Sequence, residues 1–145
     1  MNASHSAEGF VSRQDTARYE TDETVNKRTK AALAAGLIPL VCVGETLEER
    51  DGGKMEAVVV RQTKAGLDGL GADLAKVVVA YEPVWAIGTG KTATSEQAQA
   101  VHAFLRARVA ARETGVAQRL PILYGGSVKP DNAAELFAMA DIDGG

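Results

Sequence analysis

The chain has 145 residues, and its 16 basic and 19 acidic side chains give a formal net charge of −3 at pH 7. This balance, with no basic cluster interleaved with aromatic residues, excludes the charge pattern of nucleic-acid-binding proteins. No apolar run approaches the roughly 20 residues of a membrane span, and the N-terminus lacks the blocks of a signal peptide, so we expect a cytoplasmic protein with no membrane partner.

The first part of the chain divides into a polar segment and the start of a domain. Residues 1–19 are polar and without pattern, and we expect them to be poorly ordered, with one domain over residues 20–145. Thr21 is expected to cap a helix, and this helix is expected to end at Gly36. Residues 37–43 form a short apolar run that predicts a buried strand.

The rest of the chain repeats this alternation of helix and strand. Thr46 and Thr94 each stand three residues before a Glu or Gln, the spacing of a capping box, and each predicts a helix. Further strands are expected at residues 76–80, at 120–124 and from Asp141 onward, with a helix opening at Pro130 before the last. Alternating elements with short connections predict an α/β fold with parallel strands, whose C-terminal ends form the binding rim.

Glu82 is the candidate catalytic residue. It follows an apolar, β-branched strand, which places a carboxylate at the C-terminal rim, and the glycine-containing loop from Pro83 to Ala93 follows at once. A carboxylate that a closing loop shields from water is suited to general-base chemistry. The alternative is a structural glutamate that bonds nearby backbone groups.

The loop also contains Gly90-Lys91-Thr92, which resembles the end of a nucleotide-binding Walker motif. That motif requires a glycine five residues before its Gly-Lys pair, and Trp85 stands there instead. A surface turn without a ligand is the other alternative. We therefore expect a loop that covers Glu82.

Two segments, which follow each other along the chain in the family's order, resemble the triosephosphate isomerase family. Residues 81–93 are similar to its motif of catalytic base and lid, and residues 124–128, Tyr-Gly-Gly-Ser-Val, are similar to its phosphate motif. The similarity runs from about Glu20 to Gly145. It implies a parallel (β/α) half-barrel resembling strands five to eight of a TIM (β/α)8 barrel, since the closed barrel needs about 200 residues or more.

The resemblance also implies an activity and a set of site residues. The family interconverts dihydroxyacetone phosphate and glyceraldehyde 3-phosphate, a glycolytic and gluconeogenic isomerisation, with Glu82 as the base and the amides of Gly88 and Ser127 as phosphate donors. Proton transfer alone suffices, so no metal and no cofactor is expected. The residues that the resemblance assigns to the lid and its latch are Pro83, Trp85, Gly90, Ala93 and Tyr124.

Part of the family's site is not found in this sequence. Its electrophilic histidine should lie about nine residues before Glu20, where Val11 stands, and the lysine of its first strand is not found either. His5 lies in a faint echo of the histidine motif, six residues too far away. We therefore expect a chain that is weakly active or inactive alone.

The alternative is a non-catalytic half-barrel module that self-assembles or binds a complementary half. The strand at residues 38–43 and the strand from Asp141 would be its two unpaired edges, and such edges seek partners.

Three further side chains have structural interpretations. Glu45, which the family also keeps, is expected to bond neighbouring groups at the strand end. His102 lies on an apolar helix stripe and is expected to be packed or solvated rather than catalytic. Cys42 lies within an apolar strand and is expected to be a small core residue.

Overall fold

The described part of the chain contains four short strands, six α-helices and two 3-10 helices, Gly71–Lys76 and Val84–Ala86. The computed structural model describes residues 8–11, 21–86, 91–112 and 114–145, with the backbone alone at 8–11 and 114. The strands are β1 (Glu8–Val11), β2 (Ile38–Val43), β3 (Val78–Tyr81) and β4 (Ile122–Tyr124). The helices are α1 (Asp22–Ala34), α2 (Leu47–Asp51), α3 (Met55–Gly66), α4 (Ser95–Arg112), α5 (Thr114–Arg119) and α6 (Pro130–Phe137).

The predicted helix starts are confirmed. The Thr21 hydroxyl accepts from the Thr24 amide at 3.1 Å, and Thr46 forms a complete capping box with Glu49 ahead of α2. At α4 the Thr94 amide donates to Gln97 Oε1 at 2.9 Å, and the Gln97 amide donates to the Thr94 hydroxyl at 3.1 Å. Reciprocal bonds of this kind satisfy amides that the first helical turn leaves without partners.

The strands form one parallel sheet in the order β1-β2-β3-β4. The expectation that β2 is an edge strand is wrong, because β1 pairs along its outer side from Glu8, opposite Ile38, to Val11, opposite Val41. The sequence signal was weak since β1 is four residues long and includes a glycine and a glutamate. The rest of residues 1–19 lies outside the described residues.

The sheet packs its helices on one face. The side chains of β2, β3 and β4 on that face are at most 2% exposed and join the main apolar core; they are Val41, Val43, Val79, Tyr81, Ile122 and Tyr124. Leu40, Val78 and Leu123 lie on the opposite face, since side chains alternate along a strand, and each is partly exposed. A parallel α/β sheet covered by helices on one face is the architecture of a partial TIM barrel.

The chain beyond α6 lies beside β4. The Asp143 amide donates to the Ile122 carbonyl at 3.0 Å, and the Tyr124 amide donates to the Gly144 carbonyl at 2.8 Å. These bonds continue the parallel ladder in the place predicted for a last strand, although no regular strand is formed there.

Arg106 clamps this segment to the helical layer. Its guanidinium contacts Asp141 Oδ1 at 3.0 Å and Asp143 Oδ2 at 2.6 Å. It also donates to the carbonyls of Ala117 and Leu120 at 2.7 and 3.0 Å. One side chain of α4 therefore joins α5, the start of β4 and the segment beside β4.

Candidate active site

Glu82 lies at the C-terminal end of β3, at the rim of the parallel sheet. Its amide donates to the Val43 carbonyl of β2 at 2.7 Å, and the residue is 6% exposed. The strand Val78–Tyr81 thus brings a carboxylate to the edge where parallel α/β proteins bind their ligands.

Two glycines border Glu82 closely. A Cβ atom on Gly44 would lie 1.6 Å from the Glu82 carbonyl oxygen, and one on Gly125 would lie 2.8 Å from Glu82 Cγ. The Gly125 amide also donates to the Tyr81 carbonyl at 2.8 Å. Neither position has room for a side chain, and Glu82 lies directly beside the turn that begins at Gly125.

The predicted phosphate motif forms the turn between β4 and α6. Asn132 secures this turn, because its Nδ2 donates to the Ser127 carbonyl at 3.2 Å and its Oδ1 accepts from the Lys129 amide at 2.7 Å. Pro130 occupies the first turn of α6. Glu82 therefore lies beside Gly125, and the Ser127 segment follows Gly125 in the chain ahead of the N-terminus of α6, a region of positive potential.

Tyr124 lies beneath this turn. A Cβ atom on Gly126 would lie 2.2 Å from the Tyr124 hydroxyl oxygen. That hydroxyl is buried and has no hydrogen-bond partner among the residues described, and burial raises its pKa, so it remains a protonated donor. The resemblance implies that the Tyr124 hydroxyl holds the closed lid at Ala93. That bond is not made in this conformation, and the latch role of Tyr124 stays a prediction.

The loop after Glu82 starts as a compact turn. Residues Val84–Ala86 form a single 3-10 turn, with the Ala86 amide donating to the Pro83 carbonyl at 2.8 Å. Trp85 is 8% exposed, and Arg50 lies over its ring at 4.8 Å. Ala93, at the far end of the loop, is buried. Gly88 and Gly90 lie outside the described residues, so their predicted roles stay predictions.

Glu45 has the structural role expected of it. It is fully buried and accepts from the Tyr81 hydroxyl at 2.8 and 3.2 Å and from Arg50 Nη1 at 2.7 Å. Burial, and then the adjacent Glu45 carboxylate, raise the pKa of Tyr81. Sequence reasoning missed Arg50, which links this buried carboxylate to Trp85. The only local signal was its position in the short helix that Thr46 caps.

His102 lies on the helix side of the sheet. Of the two environments expected for it, packed or solvated, the structure shows the packed one. It is 0% exposed, its Nδ1 is 3.2 Å from the Asp141 carbonyl, and its ring meets the Tyr81 ring edge-on at 5.9 Å between centroids. Burial lowers its pKa to about 4. Glu82 directly follows Tyr81, the last residue of β3, and side chains alternate between the two faces along an extended chain, so Glu82 is not on the face where His102 packs. His5 lies outside the described residues.

The described residues offer neither a metal site nor a membrane span. In the described ranges, no three or more His, Cys, Asp and Glu side chains come together as a metal site. None of the helices described is long and apolar enough to cross a bilayer. Cys42 is buried in β2, as expected.

Comparison with known proteins identifies the family. The model of the triosephosphate isomerase family matches residues 12–145. The chain is 67% identical over 135 residues to the triosephosphate isomerases of Cupriavidus necator and Ralstonia nicotianae, covering 92% of this chain and 55% and 54% of those proteins. It is 56% identical over 140 residues to that of Stenotrophomonas maltophilia, covering 94% of this chain and 56% of the relative. The chain spans about half the length of these relatives, and it belongs to the triosephosphate isomerase family.

Proposed function

We propose that this chain carries the general-base portion of a triosephosphate isomerase site, with Glu82 as the base. The observation that carries the proposal is the placement of Glu82, a buried carboxylate at the end of β3 that lies between Gly44 and Gly125. The substrate would be a phosphorylated triose, as in the relatives.

The reaction would move one proton between adjacent carbons. Glu82 would take a proton from the carbon beside the carbonyl of dihydroxyacetone phosphate, which leaves an enediolate and a protonated Glu82. The hydroxyl proton of the first carbon would pass to the oxygen of the former carbonyl, and Glu82 would return its proton to the former carbonyl carbon, which gives glyceraldehyde 3-phosphate. One base can serve both steps, with no change in oxidation state overall.

The phosphate group would bind at the turn after β4. The Ser127 amide lies two residues beyond Gly125 and ahead of α6, where backbone amides and the helix dipole favour an anion. Gly88, from the loop that follows Glu82, would supply a second amide. Closure of that loop, with Trp85 at its stiff start and Ala93 at its end, would exclude water from the enediolate.

We expect weak activity from this chain alone. No electrophilic histidine accompanies Glu82 among the described residues, and loss of one donor to a developing oxyanion costs about 10²–10³ in turnover. Activity should rise when the portion of the Cupriavidus necator relative that this chain does not match is added as a separate polypeptide.

The test is the rate of triose-phosphate isomerisation by the purified chain, with and without that polypeptide, in parent and Glu82→Gln protein. Glu48→Gln, a substitution at an exposed glutamate of α2, is the matched control. We expect Glu82→Gln to abolish the activity and Glu48→Gln to leave it unchanged. Activity that survives Glu82→Gln removes the catalytic proposal.

The second candidate is a non-catalytic half-barrel that pairs with another copy or with a complementary half. It is favoured by the partly exposed apolar side chains of Leu40, Val78 and Leu123 on the sheet face away from the helices. Sedimentation and native mass measurements, with and without inorganic phosphate, test it. A single monomer peak together with no binding of a hydrophobic dye contradicts self-association.

A further inference from the structure

No strand residue in the described part of the chain accepts from the amide of Gly44 at the end of β2. The Val43 carbonyl faces β3, where it accepts from the Glu82 amide at 2.7 Å. Because successive residues of a strand face opposite neighbours, the Gly44 N–H faces the side of β1. The described pairing of β1 with β2 ends at Val41, and a buried amide left without an acceptor is costly.

Gln62 of α3 supplies the acceptor. The Gly44 amide donates to Gln62 Oε1 at 2.8 Å, across 18 residues of sequence. Gln62 is 7% exposed and lies on the buried stripe of α3 with Val58, Val59 and Gly66. The hydrogen bond to Gly44 accounts for a polar residue on this buried stripe, since buried side-chain amides in proteins nearly always have a hydrogen-bond partner.

The backbone of Gly44 in turn packs directly against the backbone of Glu82. Its hypothetical Cβ would lie 1.6 Å from the carbonyl oxygen and 2.6 Å from the carbonyl carbon of Glu82. The main chain of Glu82 is thus held by a hydrogen bond to Val43 and by contact with Gly44. A shift of Gly44 would move the residue that carries the carboxylate.

We propose that Gln62 is a positioning residue for Glu82, acting through the Gly44 amide. The proposal rests on the proposed function for the role of Glu82 as the base. Gln62 itself does not touch the substrate; it fixes the end of β2 so that Glu82 has one backbone position. Misplacement of a base by a fraction of an ångström lowers the rate of proton transfer without weakening substrate binding.

The experiment compares three variants of the whole chain by NMR. Gln62→Met keeps the length of the side chain and removes the acceptor, and Gln62→Glu keeps an acceptor oxygen. Thr63→Val is the matched control, because Thr63 is the next residue of α3, is equally buried, and has a hydroxyl with no partner among the described residues. The readouts are amide hydrogen exchange and the ¹³C resonance of the Glu82 carboxyl group.

We expect Gln62→Met to raise the exchange rates of the Gly44 and Glu82 amides at least about tenfold, beyond any change in amides that report global unfolding. The Glu82 carboxyl resonance should shift in Gln62→Met and remain in place in Thr63→Val. Gln62→Glu should retain the protection of Gly44. The proposal is overturned if Gln62→Met changes all amides uniformly, or if Thr63→Val gives the same local effect.

A second variant, Gln62→Glu, and the isomerase assay make the outcome decisive. Should Gln62→Met fail to fold, Gln62→Glu carries the test, and loss of Gly44 protection with α3 intact overturns the proposal. In the isomerase assay, Gln62→Met should lower kcat with KM unchanged. If Glu82→Gln leaves activity intact, the proposed function fails, while the exchange data still decide whether Gln62 positions residue 82.

Discussion

His102 makes the stability of the folded chain depend on pH. Its ring is buried, and its Nδ1 lies 3.2 Å from the Asp141 carbonyl, so the neutral ring donates from Nδ1. Nε2 then has an unshared electron pair with no partner in the described structure. Adding a proton there would create a buried cation. Burial is the main cause that lowers the pKa of His102, and the charge of Arg106 lowers it as well, whereas Asp141 and Asp143 raise it.

The magnitude follows from the two states. The pKa of His102 is about 4 in the folded chain, against 6.5 for a free histidine side chain. Between these values the unfolded state binds more protons, so the free energy of unfolding falls as the pH falls. The contribution is complete above pH 6.5 and is lost by about pH 4, and it amounts to about 3 kcal/mol. Most domains have total stabilities of only about 5–15 kcal/mol.

The assay is urea unfolding at several pH values between 7.5 and 4, in parent protein and in His102→Leu. The leucine variant does not leave the Asp141 carbonyl without a donor, because Arg106 Nη2 also donates to it at 3.1 Å. The parent should lose about 3 kcal/mol more than the variant across this range, and His102→Gln should resemble the leucine variant. Subtraction of the curves removes the contribution of carboxylates common to both.

An NMR titration of the ring nitrogens gives an independent check. We expect a neutral Nδ1–H tautomer that persists to about pH 5. Equal pH dependence in parent and His102→Leu, or a ring that titrates near 6.5, would refute the reasoning.

Two other substitutions test the rim. Gly44→Ala should destabilise the chain by about 3 kcal/mol or displace Glu82, because its new methyl group would meet the Glu82 carbonyl. Thermal melting measures this loss of stability. The control is Gly115→Ala, at an open helical position, which should be neutral or stabilising. Arg50→Met should cost about 3–5 kcal/mol in urea unfolding above pH 6, because it leaves the Glu45 carboxylate buried without its cation. A loss below about 1 kcal/mol would show that water or another donor replaces the arginine.

The local part of this fold could be predicted from the sequence. Apolar runs gave β2, β3 and β4, and hydroxyl residues three positions before Glu or Gln gave the starts of α2 and α4. These signals are readable because each depends on neighbours within about four residues. The position of Glu82 at the rim followed from the strand before it, since a parallel strand places the next residue at the sheet edge.

The long-range part could not be predicted. Arg106 meets Asp141 and Asp143 across 35 and 37 residues, and Gln62 meets Gly44 across 18. Each pair depends on how helices dock on the sheet, which no local pattern encodes. β1 was missed because it is only four residues long and includes a glutamate and a glycine, so it has no clear apolar run.

The pair of glycines that borders Glu82 limits how this rim could be redesigned. Any library that diversifies the pocket must leave positions 44 and 125 unchanged, since even a methyl group there would enter space held by residue 82. New specificity would have to come from the segment beyond Trp85 and from the turn after Gly126. An engineer would thus inherit a fixed position for Glu82 and could vary only the residues around it.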